Sequence, residues 1–292
     1  MIEQLRLILK SMRPKQWIKN IFVFAALVFD RQLFSMRAFL STALATLLFC
    51  LVSSLGYLIN DLADIEADRK HPKKKHRPLA TGKLSKQTAI IAAVLLAVIV
   101  FPSSFLLDIE FGLILSAYFF LMIAYSLWLK RIPLLDVMII AAGFVLRVAA
   151  GVVIINIDMF SPWLFVATTF LALFIALGKR RAEMALLQED AGDHRQVLNG
   201  YTKDFLDQLL TIAMSTTLMT YCLYTFSSPI SPENHGMMLT IPFVIYGLFR
   251  YLYLVRVKQI GGAPEEILLT DRHMQITIGL WSLTVIMILY FL

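Results

Sequence analysis

Residues 39–60 read FLSTALATLLFCLVSSLGYLIN, a stretch without a single charge, and they run straight into DLADIEADRK at 61–70. A bilayer core about 30 Å thick is crossed by roughly 20 apolar helical residues. The first stretch therefore reads as a membrane span, and the second marks where it leaves the hydrocarbon. The pattern repeats outward in both directions. Runs nearly free of charge cover 20–36, 87–107, 111–129, 134–156, 160–178, 206–228, 237–256 and 275–292, which with 39–60 make nine. Overall the chain is 59% hydrophobic and 16% charged, with a mean hydropathy of +0.73. A soluble domain sits nearer 45–50% and about 25%. The expected fold is all-α, a polytopic membrane protein with nine transmembrane helices. It forms a single domain over 1–292, without a soluble domain, a low-complexity tract or an internal repeat.

Charge sets the expected orientation. Of the 27 Lys and Arg residues, 24 fall in 1–20, 61–86, 130–133, 179–205 and 257–274 or at Arg250 and Arg256, all on one side if spans alternate. The other side holds Arg31 and Arg37, and Arg147 lies within a span. Positive residues are retained in the cytoplasm. The N-terminus is thus expected inside, the C-terminus outside, and the long polar loops 61–86, 179–205 and 257–274 cytoplasmic. No cleavable signal pattern is visible. Leu5, Ile8, Leu9 and Met12 share one helical face with Arg6 and Lys10 elsewhere, which predicts a short interfacial helix within an N-terminal segment 1–19. Trp17 reads as an interface anchor. Cys50 and Cys222 fall in different spans and read as small core side chains.

The chemistry concentrates at 60–68. At about 100° per residue, Asp61, Asp64 and Asp68 fall within roughly 60° of one another, and Glu66 points nearly opposite. Carboxylates on one stripe repel unless a cation lies between them. Hard oxygen ligands with room for water and phosphate suit Mg²⁺. Asp61, Asp64 and Asp68, assisted by Asn60, are the candidate metal ligands, and the three acids are the candidate catalytic residues. The bland alternative is a solvated acidic helix end.

Cations follow at once: Arg69, Lys70, Lys73, Lys74, Lys75 and Arg77. Lys74 and Arg77 are expected to bind phosphate, since Arg offers a planar fork and Lys a point charge. Lys73 and Lys75 serve lipid headgroups equally well, and His71 and His76 lack a third metal ligand. Arg13 and Lys19 lie near the expected cytoplasmic mouth as further phosphate ligands. Arg147 is costly in hydrocarbon and must face the interior. Asp136, Gly143 and Arg147 share a face with Gly151 nearby, which favours phosphate binding in a polar cavity over an ion pair with another helix. Arg195 and Tyr201 are as suited to a surface as to a site, and Asp271 and Arg272 either close a cavity or pair with each other.

The motif N-D-x-x-D-x-x-x-D at Asn60–Asp68 resembles the first aspartate-rich motif of the UbiA superfamily of membrane prenyltransferases. Arg13-Pro-Lys-Gln-Trp-Ile-Lys-Asn20, His71-Pro72 with Arg77-Pro78, Tyr125-Ser126 with Lys130 and Asp136, and Leu146-Arg147 with Gly151 narrow the match. So do Gly178-Lys179-Arg180-Arg181-Ala182-Glu183 and Pro264-Glu265-Glu266 with Asp271-Arg272. Together they resemble the decaprenyl-phosphate phosphoribosyltransferase branch along essentially the whole chain. The resemblance implies helices arranged around a central cavity, with Mg²⁺ held against a diphosphate. It also implies substrate contacts at Tyr125, Lys130, Asp136, Lys179, Arg180 and Glu183. Where aromatic prenyltransferases carry a second aspartate-rich motif, this chain has Lys179, Arg180 and Arg181. Asp190 and Asp193 follow at the wrong spacing.

The implied reaction moves 5-phosphoribosyl from 5-phosphoribosyl 1-diphosphate to a polyprenyl phosphate at the cytoplasmic face of the cell membrane. The alternative moves a prenyl group to an aromatic or quinone-precursor acceptor. A transporter is disfavoured because no paired broken helices occur and the polar residues cluster at one face. The expected partners are these two substrates and the bilayer, with no nucleic acid; a homo-oligomer is compatible with the sequence.

Overall fold

A computed structural model describes residues 2–70, 74–157, 161–187, 196–227, 235–260, 262 and 264–292. Among these residues the regular secondary structure is all helical, and eight helices are long and apolar enough to cross a membrane. They are α3 (Met36–Ala63), α5 (Lys86–Leu107), α6 (Ile109–Leu127), α7 (Leu135–Ile154), α8 (Pro162–Leu187), α9 (Lys203–Ser227), α10 (Ile241–Arg256, entered through a 3₁₀ turn) and α12 (Arg272–Phe291). Shorter helices are α1 (Ile2–Ser11), α2 (Ala25–Phe29), α4 (Ile65–Lys70) and α11 (Pro264–Thr270). His71, Pro72, Lys73, Asp190, Asp193 and Arg195 lie outside the described residues.

The first expected span, 20–36, is not a regular α-helix. Arg13 takes a left-handed conformation, φ 53° and ψ 63°, and a 3₁₀ helix then runs from Pro14 to Phe24 before α2. A 3₁₀ helix eclipses every third side chain and seldom exceeds 3–4 residues. Here the third-residue series Trp17, Asn20, Val23 faces α3 and α7. Trp17 donates to Ser54 Oγ at 3.0 Å, and Asn20 donates to Cys50 Sγ at 3.2 Å and Ser53 Oγ at 3.4 Å. These polar anchors on α3 match a three-residue repeat, and an α-helix would rotate them out of line. Trp17 is thereby a packed donor and not a free interface anchor. Gly151 on α7 makes the approach possible, because a Cβ there would lie 2.1 Å from the Val23 carbonyl oxygen.

Consecutive long helices pack as neighbours from α5 through α9, α3 lies against α5, α6 and α7, and α10 contacts α8, α9 and α12. The last helix returns to the first elements. The Tyr290 hydroxyl accepts from the Leu33 amide at 3.0 Å and lies 3.0 Å from the Val28 carbonyl oxygen, to which it donates. Phe34 adds an edge contact to the Tyr290 ring. Long rows of apolar side chains on α5 and α6, including Ile91, Val98, Ile109 and Phe120, remain exposed, as lipid-facing helices require.

One further boundary differs from the sequence expectation. α8 continues through residue 187, so Lys179, Arg180, Arg181 and Glu183 are helical and do not open a loop.

Candidate active site

Asp61 sits in the last turn of α3. At Asp64 the helix breaks: its φ of −99° and ψ of 13° leave the α region, although its amide still reaches the Asn60 carbonyl at 3.0 Å. The Asp68 amide then returns to the Asp64 carbonyl at 2.8 Å as α4 begins. The three acids therefore step around a break and do not share one uninterrupted stripe. Asp61 and Asp68 are each 2% exposed, while Glu66 faces solvent beside Arg69.

Every acid of the motif meets a cation. Arg13 Nη2 contacts Asp61 Oδ1. A single nitrogen of Arg77, Nη1, donates to Asp61 Oδ1 at 3.1 Å and to Asp68 Oδ2 at 2.6 Å. Lys130, from the 3₁₀ turn Leu129–Arg131 between α6 and α7, lies 3.5 Å from Asp64 Oδ2. Six residues expected from sequence to bind substrate or metal are thus gathered from three distant parts of the chain. The loop carrying Arg77 is folded back by Arg69, which donates to the Ala80 carbonyl at 3.2 Å, and by Leu79 and Leu84 packing on Ile65. Leu7 and Ile8 of α1 pack on the same cluster, whereas Leu5 and Leu9 are exposed. Lys74 borders this loop; desolvation, then the Arg77 guanidinium, lower its ammonium below the ordinary lysine range. Asn60 and Asp64 line a small cavity of about 20 Å³ with Ile59, Ala63, Ile123, Ser126 and Leu127.

Do these residues fit a divalent ion? The donor set is carboxylate with a neighbouring amide, as hard cations prefer. Two carboxylate oxygens already lie within 3.1 Å of one positively charged nitrogen, so the acids converge on a cation-sized space. Arg77 fills that space, and among the described residues no three acids, thiols or imidazoles form a ready metal cage. The donor chemistry is thus that of a hard-cation site, with Arg77 standing between the carboxylates in this structure.

A second cluster lies on the same end of the bundle. Arg180, fully buried on α8, donates from Nε to Asp136 Oδ2 at 2.5 Å, from Nη1 to Glu183 Oε2 at 2.6 Å, and from Nη2 to the Tyr125 hydroxyl at 3.4 Å. Tyr201 donates to Asp136 Oδ1 at 2.7 Å and accepts from the Leu134 amide at 2.6 Å. Leu134 holds a φ of 68°, a strained value for a bulky residue, and Tyr201 fastens its backbone. Burial and the Asp136 carboxylate push the Tyr201 phenol upward, so it remains a donor at neutral pH. Asp136 and Arg180, expected to touch substrate, are spent on each other and completely buried. They shape the end of α7 and α8 and offer no open face to a ligand in this structure. Lys179 is half-buried beside them.

Arg147 forms a third group, inside α7. It donates to Asn20 Oδ1 at 2.8 Å, to the Gly143 carbonyl at 2.8 Å and to the Tyr118 hydroxyl at 2.7 Å, and it lies over the Tyr118 ring at 4.6 Å. Among the described residues no carboxylate forms an ion pair with it, so the positive charge is hydrogen-bonded but not neutralised. Lys19 is half-buried in the 3₁₀ segment one residue before Asn20. Asp271 pairs with Arg250 at 2.7 Å, not with Arg272, and caps α12 by accepting from the Met274 amide at 2.9 Å. Tyr118 and the binding role of Asn20 escape sequence reading, because an apolar span gives no signal for which hydroxyl or amide will meet a buried Arg.

Residues 20–264 match the UbiA prenyltransferase family. The chain belongs to this family. Family membership and its eight apolar helices make it a multi-pass membrane transferase. It is 34% identical to a decaprenyl-phosphate phosphoribosyltransferase of Corynebacterium glutamicum, over 97% of this chain and 86% of that relative. A protein of the same name from Mycolicibacterium smegmatis is 35% identical, over 97% of this chain and 92% of the relative. In fold the chain is similar to a UbiA homolog from Archaeoglobus fulgidus solved bound to GPP and Mg²⁺, with a TM-score of 0.74, 18% identity, and coverage of 97% of this chain and 99% of the other.

Proposed function

We propose that the chain transfers the 5-phosphoribosyl group from 5-phosphoribosyl 1-diphosphate to a polyprenyl phosphate, with Mg²⁺ as cofactor. The observation that carries this reading is the pairing of three carboxylates with Arg13, Arg77 and Lys130 at one end of the bundle. A site with acids for a metal and an equal set of cations for phosphoryl oxygens suits a reaction in which both substrates carry phosphate. The near full-length relatives of that name support the same choice.

In this mechanism the bond between the anomeric carbon and the diphosphate breaks, and the leaving group keeps the electron pair. An oxygen of the lipid phosphate forms the new bond. That oxygen is already ionised near neutral pH, so no strong general base is required. Magnesium, when bound, supplies charge neutralisation for the departing diphosphate. Asn60, Asp61, Asp64 and Asp68 would hold it. Arg13, Arg77, Lys74 and Lys130 grip phosphoryl oxygens, and their fixed positions supply electrostatic stabilisation and alignment. The Asp136–Arg180–Tyr201 cluster, with Tyr125 and Glu183, sets the backbone that carries Lys130 and Lys179.

In the same reading the N-terminus and the site face the cytoplasm, as the charge bias argues. The 3₁₀ segment and α2 supply the ninth crossing: eleven residues at about 2.0 Å and five at about 1.5 Å reach roughly 30 Å. The single domain spans 1–292, the lipid tail lies along helices open to the bilayer, and a homo-oligomer is compatible.

The test uses purified full-length protein in detergent, labelled 5-phosphoribosyl 1-diphosphate, decaprenyl phosphate and Mg²⁺. A labelled lipid whose formation stops with chelator supports the reading. Prenylation of an aromatic acid from a prenyl diphosphate, with no labelled lipid, overturns it. Asp61→Asn and Asp68→Asn are expected to lose on the order of 100-fold in turnover while eluting as the folded protein does. Near-normal activity in either contradicts the metal assignment.

A further inference from the structure

We propose that Arg77, aided by Arg13, stands in the ligand-free protein where the divalent cation goes, and that both guanidinium groups pass to the diphosphate when metal and substrate enter. This rests on the reading of the acid cluster as a metal–diphosphate site, and it adds an exchange of partners within that site.

The geometry is that of a substituted cation. One nitrogen of Arg77 bridges two carboxylates from different helices, at 3.1 Å to Asp61 and 2.6 Å to Asp68. Arg13 meets the same oxygen of Asp61. The acid side chains are 2% and 3% exposed, whereas Arg77 and Arg13 are 23% and 28% exposed. The arginines therefore reach down onto buried acids from the side open to solvent, the side by which a polar substrate arrives.

Charge counting sets the consequence. Asp61, Asp64 and Asp68 are matched by Arg13, Arg77 and Lys130, with Lys74 as a further cation beside them, so the site carries no excess of negative charge. A bare divalent ion entering it meets two displaced guanidinium groups with nothing to hold. A divalent ion accompanied by diphosphate brings its own anionic oxygens, and the planar fork of Arg is matched to those oxygens. Metal and diphosphate must then bind with strong mutual reinforcement. Arg13 also has a second resting place: its guanidinium lies 4.6 Å from the centre of the Tyr57 ring, one helical turn before Asp61. It can leave the carboxylate and stay stacked.

The experiment measures Mn²⁺ binding to purified full-length protein by electron paramagnetic resonance, with and without inorganic pyrophosphate. In the wild type, pyrophosphate is expected to tighten Mn²⁺ binding about tenfold or more, a size within that of measured close charge couplings. Arg77→Gln is expected to tighten Mn²⁺ binding in the absence of pyrophosphate by about tenfold and to shrink the pyrophosphate effect. Arg77→Lys keeps the charge, so Mn²⁺ alone should bind as in the wild type while the pyrophosphate effect falls. If Arg77→Gln does not yield folded protein, Arg13→Gln tests the same exchange at Asp61. Mn²⁺ affinity unchanged or weakened in the Gln variant that folds overturns the proposal. No phosphoribosyl donor or lipid is present, so a protein that shows the exchange but transfers no phosphoribosyl group refutes the function and leaves the exchange standing.

Discussion

Arg180 and Asp136, neither with any side-chain surface left in solvent, meet at 2.5 Å across the α7–α8 contact. Removing one partner of such a pair strands a charge and costs about 3–5 kcal/mol. Asp136→Asn and Arg180→Gln are each expected to lower the unfolding temperature in detergent markedly. The double variant should recover part of the loss, because no fully buried charge is left without its partner, and Glu183, which also loses Arg180, is partly exposed. Tyr201→Phe removes one donor to the Asp136 carboxylate and is expected to cost about 1.5–3 kcal/mol, as for a hydrogen bond to a charged group, and to lower kcat as well, since it frees the strained Leu134 turn that leads to Lys130. An unchanged kcat in Tyr201→Phe would leave this cluster purely structural.

Lys74 gives a pH dependence with a definite sign. Partial desolvation, then the Arg77 guanidinium, hold its ammonium below the ordinary lysine range although the side chain reaches solvent, so it loses its proton earlier than other lysines as pH rises. Affinity for 5-phosphoribosyl 1-diphosphate should be full near neutrality and decline on the alkaline side before a free lysine, at about 10.4, would titrate. Lys74→Arg should remove this decline, because the guanidinium stays charged. The check is KM for the diphosphate substrate against pH; coincident curves for the two proteins would refute the assignment.

Arg147 tests whether an un-neutralised cation deep in α7 serves an anion. Arg147→Ala is expected to raise KM for the lipid phosphate on the order of tenfold, with a smaller effect on the soluble substrate. Asn20→Ala removes the acceptor at Nε and should do the same more weakly. A loss of thermal stability with both KM values unchanged would make the residue structural.

The long spans are legible in the sequence because a charge-free run of sufficient length has one reading in a bilayer. The segment before α3 is less legible. Its apolar residues satisfy a helical pattern, and only the positions of Ser53, Ser54 and Cys50 on another helix decide that Trp17, Asn20 and Val23 align at every third residue. The acids at Asp61, Asp64 and Asp68 stand out by spacing, yet the break at Asp64 depends on how α4 packs under Leu79 and Leu84. Lys179 to Glu183 read as a basic loop because charge implies water. The carboxylate that allows Arg180 to be buried lies 44 residues earlier, where spacing along the chain carries no information.

The contact between Tyr290 and the carbonyl of Val28 joins positions 262 residues apart. During synthesis the early elements wait for almost the whole chain before that latch can close. Arg13 lies upstream of it, at the left-handed joint that opens the 3₁₀ segment. The arm that reaches Asp61 is already held to α3 and α7 through Trp17, Asn20 and Val23, so the Tyr290 contact adds the C-terminal end of α12 to a segment that is seated without it.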